Sequence, residues 1–273
     1  MVMLPFMNLL YKTFLKKLFY IVILSFAFLP VQANAYTDDG GDVPKATGAE
    51  KAVFAYFRLA NKAPDYEKWI SDQNTYKGLD DTGKEEFLIS ESLRLGQAFG
   101  QYDLDYDPLI LHVPVTSTVV SAKDGNPPYF LTEFVNLDEN QDVPSFNFDY
   151  GDDKIALIIN GLKIFHKMPL TDEQYALMKE KAGASDESFP AMLEIHVRPT
   201  EADHNRALID RNGTQIWLMA GKIAYLKCSF QDIYNSSEVK LWDYVAPWYQ
   251  DIFKEKNTPE EEKYPSPFDL YKK

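Results

Sequence analysis

The stretch Leu109-Ile110-Leu111-His112-Val113-Pro114-Val115-Thr116-Ser117-Thr118-Val119-Val120 is where the pattern of the chain changes. Apolar residues recur at every second position, with Leu111, Val113, Val115 and Val119 on one side and His112, Thr116 and Thr118 on the other. Successive strand side chains point to opposite faces, so this period of two predicts a half-buried β-strand. The turn-forming run Asp124-Gly125-Asn126-Pro127-Pro128 then returns the chain into a second strand, Tyr129 to Leu137.

Further along, Asn160-Gly161 between Lys154–Ile159 and Leu162–Lys167 predicts a type I′ hairpin. Asn212-Gly213 between Arg206–Arg211 and Thr214–Met219 predicts a second one, followed by the apolar run Ile223–Phe230 in an antiparallel meander. The segment Met192–Arg198 alternates as well. Leu193, Ile195 and Val197 point inward, which sets Glu194, His196 and Arg198 together on the opposite face.

Upstream of the first strand the period is helical. Val53, Phe54, Phe57 and Ala60 mark an amphipathic helix that stops before Pro64, and a short helical piece follows at Tyr66–Ile70. Thr82 and Glu85 have the spacing of a capping box, opening a helix whose face is Leu88, Ser92, Leu95 and Phe99. One central helix starts at the capping box Thr171/Gln174 and ends at Gly183. Strands grouped together, with helices before and between them, predict an α+β fold. It should have a mainly antiparallel sheet of about eight or nine strands, N-terminal helices and one central helix.

The ends of the chain read differently. Lys12, Lys16 and Lys17 precede the apolar run Leu18–Leu29, and Ala33-Asn34-Ala35 follows it, which is the pattern of a secretory signal peptide over residues 1–35, cleaved before Tyr36. The apolar run is shorter than the roughly 20 residues a membrane-spanning helix needs. Residues 36–48 are a polar lead with nothing to bury, and residues 49–253 form one α+β domain. Residues 254–273 are acidic and proline-containing and read as an extended tail, with Phe268, Leu270 and Tyr271 able to dock on the domain or on a partner.

Charge and cysteine content bound the function. The 273-residue chain has 28 basic and 41 acidic residues, a formal charge of −13, and cleavage removes three lysines and no acids to leave −16. Such a surface repels polyanions, so nucleic acid and direct contact with anionic membrane are excluded as partners. A single cysteine, Cys228, permits no internal disulfide in an exported chain, which suits a bacterial periplasm and a fold that stands on its core.

No motif for nucleophilic hydrolysis or phosphate binding is present: there is no Gly-x-Ser-x-Gly elbow and no glycine-rich phosphate loop. Candidates for chemistry are therefore His196, Asp203 and His204, which with His166 would serve a metal-assisted hydrolase if they converged on zinc. Asp138, Asn140, Asp142 and Asp149 supply oxygens in the manner of a calcium loop, but Val143 replaces the glycine that the sharp turn of an EF-hand needs. No cofactor is otherwise expected.

For ligand binding the aromatic cluster Trp242, Tyr244, Trp248, Tyr249 and Phe253 stands out. Leu241, Val245, Trp248 and Ile252 fall at helical spacing, and Pro247 would kink that helix beside two tryptophans. The reading that follows is an exported, acidic binding or assembly protein of the cell envelope, non-enzymatic, with a protein or glycan as partner.

Overall fold

A computed structural model describes residues 46–134, 145–183, 186–231 and 237–258 of the chain. It is an α+β fold of six helices and a nine-stranded, mostly antiparallel sheet. The helices are α1 (Gly48–Leu59), α2 (Tyr66–Ser71), α3 (Asn74–Lys77), α4 (Asp81–Gln101), α5 (Asp172–Ala182) and α6 (Gln250–Asn257). The strands are β1 (Leu109–Val120), β2 (Tyr129–Phe134), β3 (Ser145–Tyr150), β4 (Asp153–Asn160), β5 (Lys167–Pro169), β6 (Ser188–Ala202), β7 (Leu208–Ile209), β8 (Gln215–Gln231) and β9 (Glu238–Val245).

Local chemistry explains where the helices begin. Thr47 and Glu50 form a reciprocal capping box on α1, as do Thr171 and Gln174 on α5, and each pair satisfies two of the backbone donors a helix leaves open. Gly183 closes α5 in the left-handed conformation, as its position after Ala182 predicts. On α4 the cap is Asp80, whose carboxylate accepts the Gly83 N–H, and not Thr82, which lies inside the helix. Aspartate is the better competitor because its charge also faces the positive end of the helix dipole.

The strand order is β3-β4-β8-β6-β1-β2-β5, with β7 and β9 also pairing with β8. Every pairing is antiparallel except β4 with β8. β9 and β2 are four strands apart by way of β8, β6 and β1, about 19 Å on a flat sheet. Yet the rings of Phe130 on β2 and Trp242 on β9 are 6.2 Å apart, so the sheet curls on itself. Helix α1 lies across β1, β3, β4 and β6, while α5 packs near β1 and β9. The main core gathers Phe54, Ile70, Leu95, Leu109, Ile155, Leu193 and Met219 between these layers, all fully or almost fully buried.

Several expectations are corrected here. Asn160-Gly161 closes no hairpin, because both edges of β4 are already taken by β3 and β8 and the chain beyond Gly161 forms a 3-10 turn, Leu162–Phe165. The type I′ geometry occurs instead at Asp124-Gly125 between β1 and β2, where both residues have positive φ and the Asn126 N–H reaches the Lys123 carbonyl.

A hairpin does turn through Asn212-Gly213, joining β7 to β8, but only Gly213 is left-handed, at φ 85°, which is the three-residue loop with a glycine bulge. The runs Thr214–Met219 and Ile223–Phe230 are one continuous strand, β8, passing straight through Ala220-Gly221-Lys222. Gly221 fits there because a Cβ at that position would lie 2.4 Å from Val197 Cγ1 on the neighbouring strand.

Residues 241–253 are not one kinked helix. They are the end of β9, a 3-10 turn (Pro247–Tyr249) and the start of α6, which also makes residues 254–257 helical and not extended. Pairing decides the matter: Trp242 sits opposite Cys228 on β8, and the ladder hydrogen bonds of β9 outweigh a helical spacing of apolar residues. The rest of the tail from residue 259, residues 1–45, and Asp138, Asn140 and Asp142 lie outside the described residues.

Candidate binding face

Strand β6 separates two environments. Leu193, Ile195 and Val197 are fully buried in the main core, and Glu194, His196 and Arg198 lie on the other face. Register fixes their neighbours: Glu194 sits opposite His112 on β1 and Lys227 on β8, while Arg198 sits opposite Lys222 on β8.

At the centre of this outer face, Glu194 Oε1 is 2.8 Å from His196 Nε2 and Glu194 Oε2 is 2.9 Å from Lys227 Nζ. His112 Nε2 stands 3.7 Å from Oε2, beyond hydrogen-bond reach, and Lys227 continues to Glu238 Oε1 on β9 at 3.0 Å. His112, His196 and Lys227 hold the Glu194 carboxyl well below the usual carboxylate range, against the opposing effect of its partial burial. The two close contacts to Glu194, with the Lys227–Glu238 pair, make this group a charge-linked tie across β6, β8 and β9.

Next to that tie is an aromatic series. The His196 ring meets Tyr225 edge-on at 5.0 Å, Tyr225 stacks on Phe253 of α6 at 4.7 Å, and Trp248 packs on Tyr249 at 5.4 Å. Ala224, Tyr225, Ala246 and Tyr249 are the buried part of this second, smaller cluster. Trp248 is only half-buried, and two cations approach its ring, Lys222 Nζ at 4.1 Å from the centroid and the Arg198 guanidinium at 5.5 Å. Both distances are within cation–π range. Arg198 also pairs with Asp105, ahead of β1.

The fold separates the aromatic residues that the sequence groups together. Trp242 belongs to the main core, 9% exposed and stacked at 6.0 Å on Phe165, and Tyr249 is 2% exposed. Tyr244 is exposed at the rim, with its ring 5.0 Å from Phe165. Of the four tryptophan and tyrosine candidates, Trp248 is the one that lies on the outer face with its cations beside it.

The histidine and aspartate candidates are dispersed in their contacts. His166 ends the 3-10 turn with Nδ1 2.7 Å from the Thr132 carbonyl, and His196 is on Glu194. The Asp203 carboxylate accepts the N–H groups of Asn205 and Arg206 in a local turn, and His204 is exposed beside it. Asp149 is exposed on β3 opposite Lys154, within a ladder and not a loop. Among the described residues, no three His, Cys, Asp or Glu side chains are grouped so as to hold a metal ion.

Lys222 and Lys227 escape attention in the sequence because nothing there states the β6–β8 register. The usable signal is the alternation Tyr225, Lys227 against Leu226, Cys228, which assigns faces without assigning partners. No protein family, curated protein or solved structure matches this chain.

Proposed function

We propose that the protein is an exported, non-enzymatic binding or assembly component of the cell envelope, and that it engages a protein or glycan through the face around Trp248. One observation carries the reading: the half-buried Trp248 ring with Lys222 and Arg198 beside it. On a chain of net charge −13, Lys222 on the aromatic ring, beside an Arg198 that is paired with Asp105, forms a local site for an acidic group, and a partly exposed tryptophan supplies contact area at low entropy cost. The ligand class is therefore a carboxylate-bearing protein segment or an acidic glycan.

Export rests on the signal-peptide pattern of residues 1–35, and with that segment cleaved the remaining surface is more acidic still. A metal-assisted hydrolase is the less favoured reading, since His166, His196 and Asp203 are engaged separately, on a carbonyl, a carboxylate and a local turn.

The test is affinity capture of envelope glycans and proteins on the purified chain, with an unrelated protein of equal charge as control. Trp248→Ala and Lys222→Ala should each weaken binding of the recovered ligand by roughly 10- to 30-fold, the loss of an interfacial anchor. Equal capture by both variants and by the control refutes the proposal.

A further inference from the structure

Inside the curl of the sheet, away from the outer face, four polar side chains are buried together. Ser117 on β1 lies directly opposite Thr132 on β2, and Cys228 on β8 lies directly opposite Trp242 on β9. The two pairs meet across the curl: the Ser117 hydroxyl is near enough to Cys228 to influence its thiol, and Trp242 packs on Phe130, two residues before Thr132 on the same face of β2. Ser117 and Cys228 are fully buried, Thr132 is 1% exposed and Trp242 9%.

None of the three hydrogen-bonding atoms, Ser117 Oγ, Thr132 Oγ1 and Trp242 Nε1, has a hydrogen-bond partner among the described residues. Burying a hydroxyl or an indole N–H without a partner forfeits its hydration, and a bound water or small molecule is one way folded proteins complete such groups. Ser117 and Thr132 are cross-strand neighbours, and Trp242 reaches the same interior from β9 through its contact with Phe130.

We propose that Ser117, Thr132 and Trp242 line an internal site for a small neutral molecule with an acceptor oxygen, water being the smallest that qualifies. The inventory of groups sets the class. The indole N–H only donates, so the guest must accept; the two hydroxyls donate or accept as required. Burial pushes the Cys228 thiol up to about 12, so it stays protonated, and the lining carries no charge to balance an ionic guest.

The sign of a stability change tests the site in the full chain. Where a guest completes the hydrogen bonds, Thr132→Val and Ser117→Ala remove bonds and each lowers Tm by about 2–8 °C. Where the hydroxyls have no guest, removing them relieves a burial penalty, and Tm stays the same or rises, which overturns the proposal. A high-resolution crystal structure gives the second readout. An ordered atom about 2.7–3.2 Å from Trp242 Nε1 and from at least one hydroxyl supports the site, and the lack of one overturns it. An isolated single-atom density identifies water, and an extended one identifies an organic guest.

Discussion

Replacing Glu194 with Gln tests the charge-linked tie on the outer face. The substitution keeps shape and leaves an oxygen to accept from His196 or Lys227, so what it removes is the negative charge that these groups share with His112. A hydrogen bond to a charged group contributes about 1.5–3 kcal/mol, and two short ones converge on this carboxylate. Partial exposure of the group and retention of one acceptor reduce the sum, which gives a net loss of about 2 kcal/mol near neutral pH. For a domain of this size that is a fall in Tm of about 4–8 °C.

The pH dependence of that loss is the sharper measurement. The Glu194 carboxyl is depressed in the folded state, so its contribution is fully present above the unfolded value of about 4.3 and is lost as pH falls below it. One proton contributes about 1.4 kcal/mol per pH unit, so a 2 kcal/mol gap closes within about 1.5 units. The groups facing Glu194 are His112 from β1, His196 on its own strand and Lys227 from β8, with Glu238 of β9 beyond the lysine. Urea denaturation of wild type and Glu194→Gln at pH values from about 7 down to about 3 should show two midpoints that are separate at the start and converge at the end. A gap that is absent at neutral pH, or that stays constant to the acid limit, refutes the assignment of Glu194 as the centre of this tie.

Two further predictions concern the interior. Asp153 is 7% exposed and receives Lys68 Nζ at 2.6 Å and Trp217 Nε1 at 3.3 Å, tying α2 to β4 and β8; Asp153→Ala should cost about 1–3 kcal/mol, discounted because Lys68 is partly solvated, and an unchanged urea midpoint contradicts this. The Cys228 thiol, fully buried and pushed up to about 12, should label with a thiol reagent at mildly alkaline pH at least about 100-fold more slowly in the native protein than in denaturant; comparable rates would show that the curl opens to solvent.

Signals that depend only on neighbours along the chain were legible in the sequence. The boxes Thr171/Gln174 and the cap Gly183 act over three or four residues, and both appear where their spacing places them. The alternation in Leu109–Val115 and Met192–Arg198 likewise assigns the buried faces of β1 and β6, because a half-buried strand exposes its own period, whereas Thr118, on the side opposite Val119, is also buried, with its hydroxyl 3.0 Å from that of Ser188. Asn160-Gly161 fails as a hairpin for a reason no local rule contains: whether a turn pairs its flanks depends on whether the edge of the first strand is free, and β4 is taken on both sides.

The same reasoning explains why the outer face around β6 is half visible in the sequence. Face and partner are separate pieces of information, and a period of two carries only the first. Glu194, His196 and Arg198 could therefore be placed on one surface from sequence. That Arg198 meets Lys222, and that both approach Trp248, follows from the β6–β8 register and from the turn at Pro247. The register shifts between His196 and Val197 and between Pro199 and Glu201 shape that meeting, and Gly221 allows the close approach that goes with it. A feature invisible as a motif, a glycine in mid-strand, thus belongs to the machinery that brings two cations and an indole together. The segment that looks most like a ligand-binding motif, Trp242 to Tyr249, divides between the two clusters: Trp248 and the buried Tyr249 belong to the smaller outer one, and Trp242 to the main core.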